Sequence, residues 1–185
     1  MIRMADKAES IVFGGGCFWC VEAAFRTVDG VIATAPGYAG GTTLRPSYNE
    51  VCAGHTGHAE VVRVEFDPEK VSLRELLEVF FEIHDPTSLN RQGADVGPQY
   101  RSIVLYEKEQ QRAAVEAFIR DASSRYDRPI VTEVRELETF WPAEESHFDY
   151  YARHPRKPYC QVVIAPKLRK LKERRERMAQ DRPGD

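Results

Sequence analysis

Two cysteines, three residues apart, follow a run of glycines in Gly14-Gly15-Gly16-Cys17-Phe18-Trp19-Cys20. A short strand, Ser10 to Phe13, leads into the glycines. A helix leaves them with Phe18, Val21, Phe25 and Val28 on one stripe, and it stops near Asp29-Gly30. Glycine permits a sharp turn from strand to helix, so Cys17 is expected at or near the helix N-terminus. Free backbone N–H groups and the helix dipole there favour a thiolate. Cys20 has the spacing of a redox pair on a first helical turn. Free cysteines are also common as small buried apolar residues. The C-x-x-C helix start tips the balance toward chemistry. Trp19 falls off the apolar stripe, on the side of Glu22 and Arg26. It could wall a small apolar pocket beside a reactive sulfur, or pack under a neighbouring loop.

Glu60 is the second unusual residue. Ala59 to Phe66 alternates as a strand does, and Glu60 shares one face with Val62, Val64 and Phe66. If that face is the core, desolvation raises the carboxyl pKa and makes it a proton donor near neutral pH. A strand-end glutamate in water or paired with an arginine is the commoner situation. His55 and His58 could join Cys17 and Cys20 in a Cys₂His₂ zinc site. The helical context and the long gap between the pairs speak against that.

These residues need elements to hold them. Val31 to Ala35 reads as a strand followed by a Gly-rich loop, Pro36 to Thr43. Ser72 to Ile83 is a helix with a capping box, Ser72 and Glu75, and a staple, Val71 with Leu76. Asp85 to Arg101 lacks periodicity, and a loop so long usually has a job. Ser102 to Tyr106 and Ile130 to Leu137 read as strands, and Gln110 to Ala122 as a helix. Pro142 opens a further helix that Pro155 closes. Lys167 to Arg177 holds seven basic and two acidic residues, and Leu168, Leu171 and the following Met178 make only a thin apolar stripe. It reads as a solvated helix lying on the domain, with Pro166 in its first turn; a basic partner surface ranks well below. The expected fold is α+β, a two-layer α/β sandwich with a mixed, helix-covered sheet, much loop and a ferredoxin-like core. The expected division is a flexible N-terminus at 1–8, a catalytic domain at 9–165, and a basic helical extension at 166–185 packed on that domain.

The whole chain, 185 residues long, is about one domain in size and large enough to bury a core without disulfides. With 26 basic and 29 acidic residues its net charge is −3, which excludes a globally basic nucleic-acid binder. No apolar run approaches the roughly 18 residues of a membrane span. Met1 to Ser10 shows no apolar stretch of the secretory kind. Four cysteines are too few for a disulfide framework, and in the expected cytoplasmic setting they read as thiols.

Five ordered motifs bring in a family. GCFW at 16–19, GYAGG at 37–41, GHAEVVRVEFDP at 57–68, DVGPQYRS at 95–102 and FWPAEESHFDYY at 140–151 resemble the peptide methionine sulfoxide reductase A family. The resemblance implies reduction of the S-epimer of methionine sulfoxide, free or in proteins, to methionine. It implies recycling by thioredoxin, for which dithiothreitol can stand in, and no metal or organic cofactor; a monomer is expected separately from the resemblance. By the same resemblance, Cys17 is the nucleophile, and Phe18 and Trp19 hold the substrate methyl group. Glu60 assists at the sulfoxide oxygen, and Tyr38 and Tyr100 hold that oxygen. Asp95 binds the substrate's amine side, and His147 and Tyr150 support the site. The expected product is a sulfenic acid on Cys17, which a second thiol converts to a disulfide.

The chain departs from the family twice. Cys20 stands where many members have glycine, and the C-terminal region has a single cysteine, Cys160, without a Gly-rich tail. Cys160 falls where the resolving cysteine often lies and is the favoured resolver; Cys20 is the alternative. Because QVVIAP follows it, Cys160 could also be an ordinary strand cysteine, and Cys52 is expected to be a bystander. A general disulfide oxidoreductase, a zinc-dependent binding module and a sulfoxide-binding sensor are the rival readings.

Overall fold

The computed structural model describes residues 7–181. Most of the expected N-terminal stretch at 1–8, and the last four residues of 166–185, lie outside the described residues. The strands are β1 (Glu9–Gly14), β2 (Val31–Ala39), β3 (Ala59–Phe66), β4 (Arg91–Gln92), β5 (Asp95–Val96), β6 (Ile103–Tyr106), β7 (Glu133–Glu136) and β8 (Trp141–Pro142). The helices are α1 (Phe18–Phe25), α2 (Tyr48–Cys52), α3 (Leu73–Ile83), α4 (Glu109–Ala122), α5 (Tyr150–Arg153) and α6 (Ala165–Gln180). A mixed six-stranded sheet has the order β7-β6-β1-β3-β2-β8. Only β6 and β7 run parallel in it. β4 and β5 form a separate small hairpin. This is the α+β arrangement expected from the sequence.

Alternation along the central strands decides the two faces. Ile11, Phe13, Val62, Val64 and Phe66 meet α1, α3 and α4 through Phe25, Leu76, Phe80 and Phe118. The intervening residues, Val12, Val61, Ile103 and Leu105, form a smaller cluster with Leu137 and Phe140 packed against it. Phe13 lies at the centre, its ring 4.8 Å from that of Phe25 and 5.0 Å from that of Phe80. Burying a side chain of this size stabilises the fold by about 1.5–3 kcal/mol. The expected capping box of α3 is present: the Glu75 N–H donates to Ser72 Oγ at 3.1 Å, and the Ser72 N–H to Glu75 Oε2 at 2.7 Å.

Three local readings give way in the folded chain, two of them to strand pairing. Pro36 and Gly37 do not open a loop; β2 runs through them to Ala39. Gly37 is there for close approach, since a Cβ would lie 2.4 Å from the Phe140 ring and 2.5 Å from the Trp141 carbonyl oxygen. Pro142 does not start a helix but pairs with Gly37 in β8, and helical structure returns only at 145–147 and in α5. Residues 160–164 form a π-helical turn running into α6, not the strand suggested by QVVI. The tail then docks through Leu171, 4% exposed, while Arg174 ion-pairs with Glu78 and Glu82 of α3. Among the described residues no helix is long and apolar enough to cross a membrane.

Candidate active site

Cys17 is the N-cap of α1, with extended backbone (φ −61°, ψ 129°). The turn into it needs Gly16 at φ +91°, a conformation that disfavours a side chain. The Gly16 N–H donates to the Tyr100 carbonyl at 3.2 Å, which ties the turn to the 85–101 segment. Cys17 is only partly exposed, and its thiol is pushed well above the ordinary range. Burial is the main cause; Glu60 and Cys20 push the same way, while the Trp19 N–H and Tyr159 hydroxyl pull back. The thiolate expected from the helix start is therefore not the resting form. A helix terminus contributes about 1 kcal/mol, less than one pKa unit, whereas burial moves a group by up to several units.

Glu60 lies opposite Tyr38 in the β2–β3 register and is 1% exposed. Its Oε1 accepts the Phe18 N–H at 3.4 Å, and its Oε2 has no hydrogen-bond partner. Burial pushes its carboxyl up to about 8; Asp95 adds to this, and the Phe18 N–H and Tyr100 hydroxyl oppose it. The Tyr100 hydroxyl is itself pushed up by burial and then by Glu60. A neutral carboxylic acid thus stands beside the N-terminus of α1.

The aromatic wall is built from distant segments. Trp19 stacks on Tyr150, and its Nε1–H donates to His147 Nδ1 at 3.1 Å. The indole only donates, so the His147 hydrogen is on Nε2, which faces Glu144 Oε2 at 3.3 Å. Burial lowers the His147 pKa against the pull of Glu144. Phe18 is fully buried, with ring distances of 5.8 Å to Tyr38 and 5.2 Å to His147. The Tyr38 hydroxyl donates to Glu144 Oε2 at 3.1 Å, and the Tyr48 N–H to Glu144 Oε1 at 3.2 Å.

Behind this wall, Glu22 of α1 is 2% exposed and accepts from Thr34 Oγ1 at 3.0 Å and from the Asp149 N–H at 2.5 Å. Asp149 takes the left-handed conformation (φ 52°), which turns the chain between His147 and Tyr150.

Asp95 arrives on the small hairpin, and its Oδ2 accepts the Tyr159 hydroxyl at 2.8 Å. That hydroxyl also lies 3.8 Å from Cys20 Sγ. Cys20 and Cys160 share a buried cluster with Ala23 and Ile164, and Cys160 is fully buried. His58 is occupied by backbone: its Nδ1 accepts the Gly41 N–H at 3.0 Å and its Nε2 donates to the Thr43 carbonyl at 2.7 Å. No group of three or more His, Cys, Asp or Glu side chains among the described residues is placed to hold a metal ion.

Sequence reasoning missed Tyr159, Glu144 and Tyr48. Cys52 closes the short helix that Tyr48 opens, and burial pushes its thiol up.

The family model described as "Peptide methionine sulfoxide reductase" matches residues 9–180. A peptide methionine sulfoxide reductase MsrA of Saccharolobus solfataricus is 53% identical over 163 residues, covering 88% of this chain and 92% of the relative. Mxr1 from Saccharomyces cerevisiae in reduced form aligns with a TM-score of 0.80 and 33% identity, over 84% of this chain and 90% of that one. A further Mxr1 structure, in complex with Trx2, shares the fold at a TM-score of 0.57 and 23% identity, over 78% of this chain and 86% of that one. With matches of this extent and identity, the chain belongs to the peptide methionine sulfoxide reductase family.

Proposed function

We propose that this chain reduces the S-epimer of methionine sulfoxide, free and in proteins, with Cys17 as nucleophile and Glu60 as acid. The chain is an oxidoreductase of the thiol-dependent methionine sulfoxide reductase type. The observation that carries the residue assignment is Glu60: a buried carboxyl, neutral below about 8, with one oxygen unpartnered at the end of α1 that bears Cys17.

Oxide is a poor leaving group, so protonation of the sulfoxide oxygen is the hard part of the reaction. The Cys17 sulfur attacks the sulfoxide sulfur, and Glu60 protonates the oxygen. The oxygen then passes to the Cys17 sulfur as the substrate sulfur loses its bonds to oxygen and to Cys17, so methionine leaves and Cys17 is left as a sulfenic acid. The thiol proton returns to Glu60, so no net charge is created. An ionised Glu60 would disfavour the Cys17 thiolate, whereas the neutral acid does not. Tyr100 donates to the same oxygen, and Tyr38 does so by turning its hydrogen away from Glu144. Phe18 and Trp19 enclose the methyl group, and His147 and Tyr150 hold the indole. Asp95 takes the amine side of the substrate.

A second thiol, Cys160 or Cys20, then displaces the oxygen as water, and an external dithiol such as thioredoxin or dithiothreitol reduces the disulfide. The solved complex of Mxr1 with Trx2 supports that partner. Thiols carry both electrons, so no resident metal or organic cofactor enters this scheme. We assign the reaction to a monomer in the cytoplasm, with residues 9–165 as the catalytic domain and 166–185 as an extension whose described part, to residue 181, packs on it.

The test is reduction of separated S- and R-epimers of a sulfoxide peptide with dithiothreitol. Methionine from the S-epimer alone is expected. No methionine from either epimer overturns the reading, and equal turnover of both overturns the stereochemical part.

A further inference from the structure

We propose that Tyr159 is a catalytic residue of the disulfide-forming step, relaying the proton of the Cys20 thiol to the Asp95 carboxylate as Cys20 attacks the Cys17 sulfenic acid. The proposal rests on the functional reading above and adds which thiol acts and where its proton goes.

The direction of the hydrogen-bond chain follows from its chemistry. A carboxylate only accepts, so the Tyr159 hydroxyl, 2.8 Å from Asp95 Oδ2, donates its single hydrogen there. Its lone pairs remain free to accept. Cys20 Sγ lies 3.8 Å away, and because the one Tyr159 hydrogen is given to Asp95, the thiol is the donor in this contact. Cys20 is 4% exposed, which leaves water poorly placed to collect the proton. Burial also holds the thiol protonated. A buried thiol that must become a nucleophile needs an internal acceptor, and this chain of atoms supplies one.

Other groups face Cys20 as well. Cys17 lies on the same helix turn, and its N-cap carbonyl accepts the Cys20 N–H at 3.1 Å. Lys167 of α6 favours the thiolate, while Asp95 and Cys160 oppose it. None of these is a base hydrogen-bonded to the sulfur. Cys160 is fully buried in a helical turn, and nothing bonded to it in the structure offers such a route.

The step balances. The Cys20 sulfur bonds to the Cys17 sulfur, and the Cys17 S–O bond breaks. The Cys20 proton goes to Tyr159, whose own proton passes to Asp95. The departing hydroxide takes a proton from neutral Glu60 and leaves as water. Both thiol sulfurs are now at the disulfide level; Asp95 loses its proton to solvent and the ionised Glu60 regains one.

Single-turnover measurements on the full chain test this, with one equivalent of a sulfoxide peptide and no reductant. Methionine release is followed beside the first disulfide, mapped by mass spectrometry after alkylation. In the wild type the first bridge joins Cys17 to Cys20. Tyr159→Phe keeps the ring and removes the relay. It should lower the ratio of disulfide formation to methionine formation by about 100-fold, the low end for a positioned proton-transfer group. Sulfenic acid then accumulates and is trapped by a 1,3-dicarbonyl reagent. Disulfide formation in this variant should also rise about tenfold per pH unit near neutrality, because the thiolate must now form by exchange with solvent. The wild type shows a shallower slope. Asp95→Asn, which retains Tyr159, should lower the same ratio. A first bridge between Cys17 and Cys160, or a ratio and slope unchanged by Tyr159→Phe, overturns the relay while methionine release still supports the function. No methionine from the wild type overturns both.

Discussion

Trp19 and Tyr150 lie face to face, with ring centroids 3.7 Å apart and planes 6° from parallel. With the His147 bond at the indole nitrogen, this fixes the large aromatic beside Cys17 in one orientation. An apolar pocket for a small methyl group gains selectivity only if its wall does not move. Tyr150→Ala should remove about 0.5–1.5 kcal/mol of stacking and let the indole swing. We expect kcat/KM to fall by up to about tenfold, mainly through KM. Steady-state kinetics on free and peptide methionine sulfoxide will measure it.

Cys17→Ser should abolish methionine formation, because a hydroxyl is neither nucleophilic enough nor able to accept the oxygen as a sulfenic acid. The side chain is nearly isosteric and only partly buried, so the melting temperature should stay close to that of the wild type. Methionine production above the uncatalysed rate by this variant would exclude Cys17 as nucleophile.

Glu60→Gln should slow methionine formation by about 100-fold or more, the loss of a positioned acid. Its effect on stability has the opposite sign. The Glu60 carboxyl binds its proton up to about 8 when folded, against 4.5 as the ordinary value. Between those values the folded state holds a proton that the unfolded chain has released, so stability falls as pH rises. Removing this group should stabilise the protein at pH 7 relative to the wild type by on the order of 3 kcal/mol, with the difference vanishing near pH 4. Urea melts across that range give the number.

His84 works in the other direction. Burial pushes its imidazole down to about 4 from 6.5, while it stacks on Phe80 and bonds Ser102 Oγ at 2.7 Å. The unfolded chain binds the extra proton, so stability is present above 6.5 and is lost as pH falls toward 4. In the Glu60→Gln background, where the opposing slope is gone, stability should drop by on the order of 2 kcal/mol from pH 7 to pH 5. A flat profile there would exclude His84 as the source.

Phe13→Ala should cost about 3–5 kcal/mol, since the ring is fully buried between Phe25 and Phe80 and leaves a cavity that β1 cannot close. Chemical denaturation should show an earlier midpoint with little change in slope.

Several elements were legible because their signals are local. The α3 helix declares itself through its apolar spacing and the Ser72–Glu75 box, and β3 through an alternation that put Glu60 on one face with Val62, Val64 and Phe66. The Gly-rich turn before Cys17 was legible for the same reason. Turn-formers misled where a neighbouring strand needed them for something else. Gly37 admits Phe140 and Trp141, and Pro142 joins the sheet edge opposite Gly37. The hairpin strands β4 and β5, two residues each, are too short to leave a periodic trace.

What the sequence by itself determined is which residues sit on the core face, where the helix at Cys17 begins, and, through ordered motifs, the family. The tertiary structure alone decided the electrostatics and the partners. Trp19 meets His147 across 128 positions, Tyr38 meets Glu144 across 106, and Cys20 meets Tyr159 across 139. No local pattern encodes such contacts, because they exist only once the chain has closed over the sheet. The same closure removes water from Cys17 and Glu60, and that desolvation holds the thiol neutral and leaves the acid with a proton to give.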